Sequence, residues 1–406
     1  MALMVLAHEW RAGAKSPPLL TILTVDHGLR AEAAQESAWV QGEAARLGLP
    51  HETLAWTGPK PRADLQAAAR DARYGLMLDY CRRSGIEALA TAHTADDQAE
   101  TLLMRLARGS GVDGLSAISP VSMRDGVALL RPLLSISRPR LEASLVARRQ
   151  IWIEDPSNCD RRFERVRLRE ELRNASLFQL TPDKLALSAR RLDRARAALE
   201  AVTAEFLRSA LTIHPAGYGE LPLAALSHAH EEIAIRAIAR MATTFGGGER
   251  HVRLARVEAL HRTLLGDEPR DATLGGCAFT VRKGTLRVCR EYGRIRPERI
   301  PLAEAGLLWD GRFLVSAPGE TDLTVGPLGP SGLAALRAMK AAIPLPHPVA
   351  HSLPALWQGE RLVFTPFAVF EEAPPPAWKT KAKAAFTKAP ISSRSSPDTA
   401  NGSLTD

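Results

Sequence analysis

The stretch HTADDQAETLLMRLARGSGVDG, His93 to Gly114, decides how the first half of this chain folds. The apolar run EALATA, Glu87 to Ala92, leads into it and stops at a histidine. A helix start crowded with carboxylates comes next, then Arg105, Arg108 and a glycine-rich turn. That order reads as strand, acidic helix N-terminus, basic helix end and open loop. Ligands of parallel α/β sheets bind beyond the carboxyl ends of the strands, and His93 stands at such an end.

Asp97 and Glu100 are three residues apart and Asp96 and Glu100 four apart, so the acids share one helix face. Leu102, Leu103 and Leu106 offer the sheet an apolar side. Carboxylates clustered at a strand-to-helix edge hold Mg2+ or an ammonium group. The same residues have a purely structural reading. Thr94 is a good N-cap, Asp97 falls at the third helical position, and acids suit the positive end of the helix dipole. Spacing alone leaves both readings open.

Working outward, the pattern alternates. It predicts a helix over 1–14, a strand over Leu19–Val25, a helix over Ala31–Leu47 and a strand over Pro50–Trp56. A long helix over Ala63–Arg83, the Glu87–Ala92 strand and the acidic helix complete the series, with Leu129–Leu134 and a helix over Arg138–Arg149 beyond it. Alternating strands and helices imply a doubly wound parallel α/β sheet. From Thr181 the character changes to helices over Leu185–Leu211, His228–Thr244 and His251–Leu265. After Asp267 the chain turns β-rich. A hairpin turning at Lys283-Gly284 pairs Cys277 with Arg290 and Cys289 with Ala278, which puts the two thiols on opposite faces and disfavours a disulfide. Phe279 then faces Val288 and Val281 faces Leu286. Strands are also expected over Trp309–Ser316 and Arg361–Phe370, with a short helix over Leu333–Lys340. From Pro374 the composition reads as a disordered tail.

The 406 residues allow two or three domains and a full core. A 45% hydrophobic fraction is that of a globular chain, and no apolar run is long enough to span a bilayer. The expected location is cytoplasmic, with no membrane partner. A net charge of +8 favours a polyanionic partner. The four cysteines form no CxxC pair, which argues against a zinc or redox motif.

Three further segments carry candidate chemistry. VDHGLR, Val25 to Arg30, places Asp26 and His27 at the end of the first strand, where a nucleotide can lie; turn chemistry explains the same residues about as well. LQAAARDARY, Leu65 to Tyr74, carries Arg70 and Arg73, either phosphate clamps or solvated helix arginines. WIEDPSN, Trp152 to Asn158, leads into an Arg-rich segment from Arg161 to Arg173 that tracks a phosphate backbone or forms surface ion pairs with Glu164, Glu170 and Glu171.

Taken in order, VDHGLR, LQAAARDARY, HTADDQAETLLMRLARGSGVDGL, LLRPLL (Leu129–Leu134) and WIEDPSN resemble the tRNA(Ile)-lysidine synthase family of PP-loop ATP pyrophosphatases, well over about residues 1–175 and by general layout beyond. The resemblance implies an adenine nucleotide alpha hydrolase-like catalytic domain over 1–178, a helical substrate or tRNA domain over 179–266, a small β-rich domain over 267–373 and a tail over 374–406. It implies that ATP and Mg2+ adenylate C2 of the wobble cytidine of tRNA(Ile), and that free lysine then displaces AMP. By motif position, Arg73, Asp97 and Glu100 look catalytic, Asp97 also a metal ligand. Asp26, His27 and His93 look like nucleotide-side residues, and Asp96 and Arg165 like residues that meet substrate and tRNA. A homodimer is one assembly consistent with the resemblance. The rivals are another PP-loop tRNA-modifying enzyme, disfavoured by the lack of CxxC, and a tRNA-binding protein without catalysis.

Two departures from the family pattern stand out. Val166 sits where the family usually has Asn, and nothing like its SGGxDS loop occurs in the 406 residues. Met1-Ala2-Leu3 matches the residues that come directly after that loop in the family, so the in-frame codons upstream are expected to encode a strand and the loop. The chain expressed from Met1 is expected neither to bind ATP tightly nor to form lysidine, because a pyrophosphate needs a ring of backbone N–H donors. ATP binding and lysidine formation by this form and an N-terminally extended one, measured side by side, check this; comparable activity of the two overturns it.

Overall fold

The computed structural model describes residues 1–28, 32–58, 60–61, 65–154, 167–168, 180–248, 252–379 and 381–387. The chain divides into two compact units, Met1–Arg196 and Ala197–Asp406.

In the first unit, α1 (Ala2–Gly13), β1 (Ile22–Asp26), α2 (Ala33–Arg46), β2 (His51–Ala55), α3 (Leu65–Arg83), β3 (Ala88–Ala90) and α4 (Ala95–Leu106) keep the expected alternation. A short α5 (Val112–Leu115), the strands β4 (Val121–Arg124) and β5 (Val127–Leu130), and α6 (Arg138–Ala147) complete the unit, together with the first part of α7 (Pro182–Ala210). β1 pairs with β2 in parallel from Ile22↔His51 to Asp26↔Ala55. β3 pairs with β5 in parallel from Ala88↔Ala128 to Ala90↔Leu130.

The single, wholly parallel sheet does not form among the described residues. β1–β2 is one sheet and β3–β5–β4 another. β4 runs antiparallel to β5, because Asp125 and Gly126, with φ of 50 and 80, make the two-residue turn of a tight hairpin. One helix serves both sheets. Tyr74, Met77, Leu78 and Cys81 recur at i, i+3, i+4 and i+7 on α3 and share a core with Leu54, Leu89, Val127 and Leu129. α1 starts at Met1 with no side-chain cap and tucks Met4 against Ala44 and Leu49. On α4, Leu102 is buried as expected, whereas Leu106 is exposed; Ala99 and Leu102 pack on Leu185 and Ala189 of α7.

In the second unit, β6 (Thr212–His214), β7 (Tyr218–Pro222), β8 (Ala272–Leu274), β9 (Cys277–Arg282) and β10 (Thr285–Arg290) form an antiparallel sheet in the order β6-β7-β10-β9-β8. The predicted hairpin register is observed, with Cys277↔Arg290, Ala278↔Cys289, Phe279↔Val288 and Val281↔Leu286. Lys283 and Gly284 turn it with φ of 48 and 74, and both cysteines are buried and free. The helices α8 (Leu223–His228), α9 (Glu231–Phe245) and α10 (Leu254–Leu265) accompany it, and α9 and α10 pack Ile238, Met241, Phe245 and Leu264 against Phe279, Leu286 and Val288.

Two expectations change here. Strand β10 pairs with β7, so the boundary drawn at residues 266 and 267 would cut a sheet; the 179–266 segment contributes strands as well as helices. The segment from Pro374 is not all tail, because Lys383–Phe386 forms a strand on Phe313–Ser316. Phe386 brings an aromatic ring to the pairing, 5.7 Å from the Phe313 ring and 6.0 Å from Phe245, and that burial outweighs the polar composition around it. No helix of the described residues is long and apolar enough to cross a membrane. Phe386→Ala is expected to lower the unfolding free energy by about 2–3 kcal/mol, less than a fully buried Phe because the ring is only partly covered. A denaturant titration reads this; an unchanged midpoint would show that the strand adds nothing to the core.

Candidate active site

His93 lies just past β3 and is oriented by its neighbours in sequence. The Thr91 hydroxyl meets its Nδ1 at 3.0 Å. Burial holds the imidazole neutral, pushing its pKa down to about 4; Asp97 acts in the opposite direction, and the Arg131, Arg70 and Arg73 charges add to the lowering. Helix α4 begins just beyond. The Asp97 Oδ2 accepts from the Thr94 backbone N–H at 2.8 Å and from its hydroxyl at 3.0 Å, the acidic half of a capping box. Asp96 Oδ2 accepts the Arg138 backbone N–H at 2.7 Å and so ties the start of α6 to the start of α4. Both acids therefore do structural work, as the capping reading expects. Glu100, expected on the surface, is only 1% exposed.

At the end of β1, Asp26 Oδ1 accepts the Gly28 N–H at 2.8 Å and Gly28 turns away with φ of 58, so turn chemistry accounts for Asp26. His27 is different. Its Nδ1 is buried with no hydrogen-bond partner among the described residues, and its ring stands edge-on to Trp56 at 6.1 Å. Burial lowers its pKa, as do the Arg73 and Lys60 charges, while Asp26 opposes them. Lys60 sits 4.1 Å above the Trp56 ring and donates to the Trp56 carbonyl.

Arg73 is the common element. Its charge acts on His27, beyond β1, and on His93, beyond β3. Arg73 thus lies within electrostatic reach of both histidines, and Asp97 within that of His93. Arg165 lies outside the described residues. Sequence reasoning missed Arg131, which donates to the Ser119 carbonyl at 2.8 Å and the Ser122 hydroxyl at 3.0 Å while influencing His93. The signal lay in LLRPLL, quoted as a motif but not as a site. Lys60 and Trp56 were missed too, because a lone Lys after a strand carries no pattern.

A nucleotide fits these residues. An unsatisfied buried ring nitrogen, an aromatic ring and a lysine gather just after β1 and β2, at the strand ends where α/β sheets bind such ligands. Among the described residues no three His, Cys, Asp or Glu side chains gather as a metal-ligand set, and Asp97 engages its Oδ2 in the cap.

An α/β unit with a nucleotide-compatible site at its strand ends is the class these features define, and the PP-loop domain family matches residues 1–176. The chain belongs to the tRNA(Ile)-lysidine synthase family. It is 41% identical over 357 residues to a tRNA(Ile)-lysidine synthase of Ruegeria pomeroyi, covering 86% of this chain and 82% of that one. It is 47% identical over 292 residues to that of Methylobacterium nodulans, covering 69% of this chain and 86% of the relative. A solved U34-tRNA thiolase from Methanococcus maripaludis is similar over 48% of this chain and 68% of its own, with a TM-score of 0.40 and 15% identity.

The neutral imidazole has a pH signature. His93 has a folded pKa near 4 against an ordinary 6.5, so the unfolded chain takes up the proton first. Its contribution to stability is full above about pH 6.5 and is lost as pH falls toward 4. His93→Gln is expected to flatten the stability profile across that window relative to the parent. Urea midpoints at stepped pH check it, and parallel profiles would mean that His93 is not buried neutral.

Proposed function

We propose that the site in this chain is that of an enzyme that joins lysine to a cytidine of tRNA(Ile) in two chemical steps. The C2 oxygen of the wobble cytidine attacks the α-phosphorus of ATP and pyrophosphate leaves. The lysine ε-amine then attacks C2, the C–O bond breaks, AMP departs and the amine sheds its protons. The observation that carries this reading is Arg73 acting on His27 and His93 at once, with Asp97 beside His93. An anion-handling cation, a nucleotide edge and a carboxylate share one locus, which a nucleotidyl-then-amine reaction needs.

The roles divide by charge. Arg73 meets phosphate oxygens and counters the negative charge that grows during adenylation. Asp97 attracts the lysine ammonium through its carboxylate, with Asp96 adding charge at the same helix end and Glu100 fixing the field from within. His93 is neutral at physiological pH and accepts a hydrogen bond rather than repelling the ammonium. The ring nitrogen of His27 is a natural partner for the nucleotide. Arg165 and its basic neighbours belong to the proposal as tRNA contacts. No step is assigned to Mg2+.

Made in the N-terminally extended form, Asp97→Asn and Glu100→Gln are each expected to abolish lysidine formation. Asp97→Asn keeps an oxygen acceptor for the cap, so its stability loss stays within about 1 kcal/mol. Glu100→Gln, at a buried position, costs more. Lysidine formation is tracked by mass spectrometry of tRNA, and ATP–pyrophosphate exchange reports the first step separately. Full activity in both variants would leave the acids with capping alone. Exchange and lysidine absent in the parent, with tRNA still bound, would favour the non-catalytic tRNA-binding alternative.

A further inference from the structure

Three guanidinium groups converge on one aromatic ring in the first unit. Arg70, Arg73 and Arg124 place their Cζ atoms 5.4, 5.5 and 5.3 Å from the centroid of Tyr74. The ring is 2% exposed and its hydroxyl is buried without a hydrogen-bond partner among the described residues. Arg70 and Arg73 come from one helix, α3, and Arg124 from the β4 strand, so the convergence is a tertiary feature. A fourth guanidinium is close to the same locus. Arg131 and Arg70 both act on His93, and Arg131 keeps a buried Nε with no partner among the described residues.

Among the described residues neither Arg70 nor Arg124 pairs with a carboxylate. Asp125, next to Arg124, turns toward Arg82 at 3.8 Å, and Arg82 also pairs with Asp79. Cation–π attraction orients guanidinium groups on a tyrosine but does not neutralise them. Like charges held close together, as Arg70 and Arg124 are on this ring, cost folding energy and are kept where an anion is to be bound.

We propose that Arg70, Arg73 and Arg124, stacked around Tyr74, form a cradle for a phosphate oxyanion of the substrates. Guanidinium forks suit phosphate because they donate in parallel pairs and stay charged. Arg70 and Arg124 are exposed and form the rim, while Arg73 is partly covered and forms the floor. The cradle rests on the reading given under Proposed function only for the origin of the phosphate, which is either pyrophosphate released from ATP or a backbone phosphate of tRNA.

The test uses the full chain with Arg70→Gln, Arg124→Gln, the double variant and Arg124→Lys. Two probes are titrated: inorganic pyrophosphate by calorimetry, and a fluorescent RNA anticodon stem-loop by anisotropy. The expected result is a loss of about tenfold in affinity for at least one probe in each Gln variant, with partial recovery in Arg124→Lys, which keeps the charge but not the fork. The probe that loses affinity names the source of the phosphate. Thermal unfolding without phosphate should stay level or rise in the Gln variants, since repulsion is relieved. Affinity for both probes within twofold of the parent would overturn the cradle, and so would a fall in Tm of several degrees in both Gln variants. Lysidine formation by the N-terminally extended parent separates the two ideas: a cradle that weakens as expected when that parent makes no lysidine keeps the phosphate site and removes the functional reading.

Discussion

One apolar stripe on one helix holds the first unit together. Tyr74, Met77, Leu78 and Cys81 of α3 face β1–β2 and β3–β5 at once, and those two sheets share no backbone hydrogen bond among the described residues. Burying a large apolar side chain stabilises by about 1.5–3 kcal/mol, and here the same few residues serve both sheets. The helix also sets the chemistry. Arg73 precedes the buried Tyr74, so the register that seats Tyr74 fixes where Arg73 points. A polar substitution at Leu78 would release two sheets and disperse a site whose members come from four elements.

Much of the layout was legible because it rests on local chemistry. The β9–β10 register stems from one turn, Lys283-Gly284, and a period of two carries every later pair. The strand, His, capping box and acidic helix were legible for the same reason, since cap and helix face are set within four residues. What failed was non-local. Whether β1 and β3 share a sheet depends on a backbone between them, which neither strand's own pattern states. Lys383–Phe386 lies in a lysine-rich run that reads as solvated, yet Phe386 finds Phe245 and Phe313 far away in sequence. Asp125-Gly126 was a local signal that went unread, and it would have given the antiparallel β4.

The candidate site shows why spacing could not choose between cap and ligand. Asp97 closes the capping box with one oxygen, and a carboxylate has two. Asp96 likewise spends one oxygen on the Arg138 N–H. The structural role orients each acid without consuming it, so the two readings are not rivals in space. Arg124 was out of reach for the opposite reason. Nothing in a hairpin sequence says which arginine will fold back on a tyrosine fifty residues earlier.

The balance of charge sets the order in which ligands suit the proposed chemistry. The acids nearest His93 have each committed an oxygen to a helix start, while Arg70 and Arg124 carry charges that no carboxylate among the described residues offsets. His93 feels both signs: burial is the main cause of its lowered pKa, Asp97 opposes it, and Arg131, Arg70 and Arg73 add to it. In such a field an ammonium is held weakly and a polyanion strongly. On the proposed reading, a bound phosphate would offset the arginines, leave Asp97 as the dominant nearby charge and so let the locus favour the lysine ammonium. The same arrangement of charges therefore favours nucleotide or RNA first and amine second, which is the sequence an adenylation and then a displacement require.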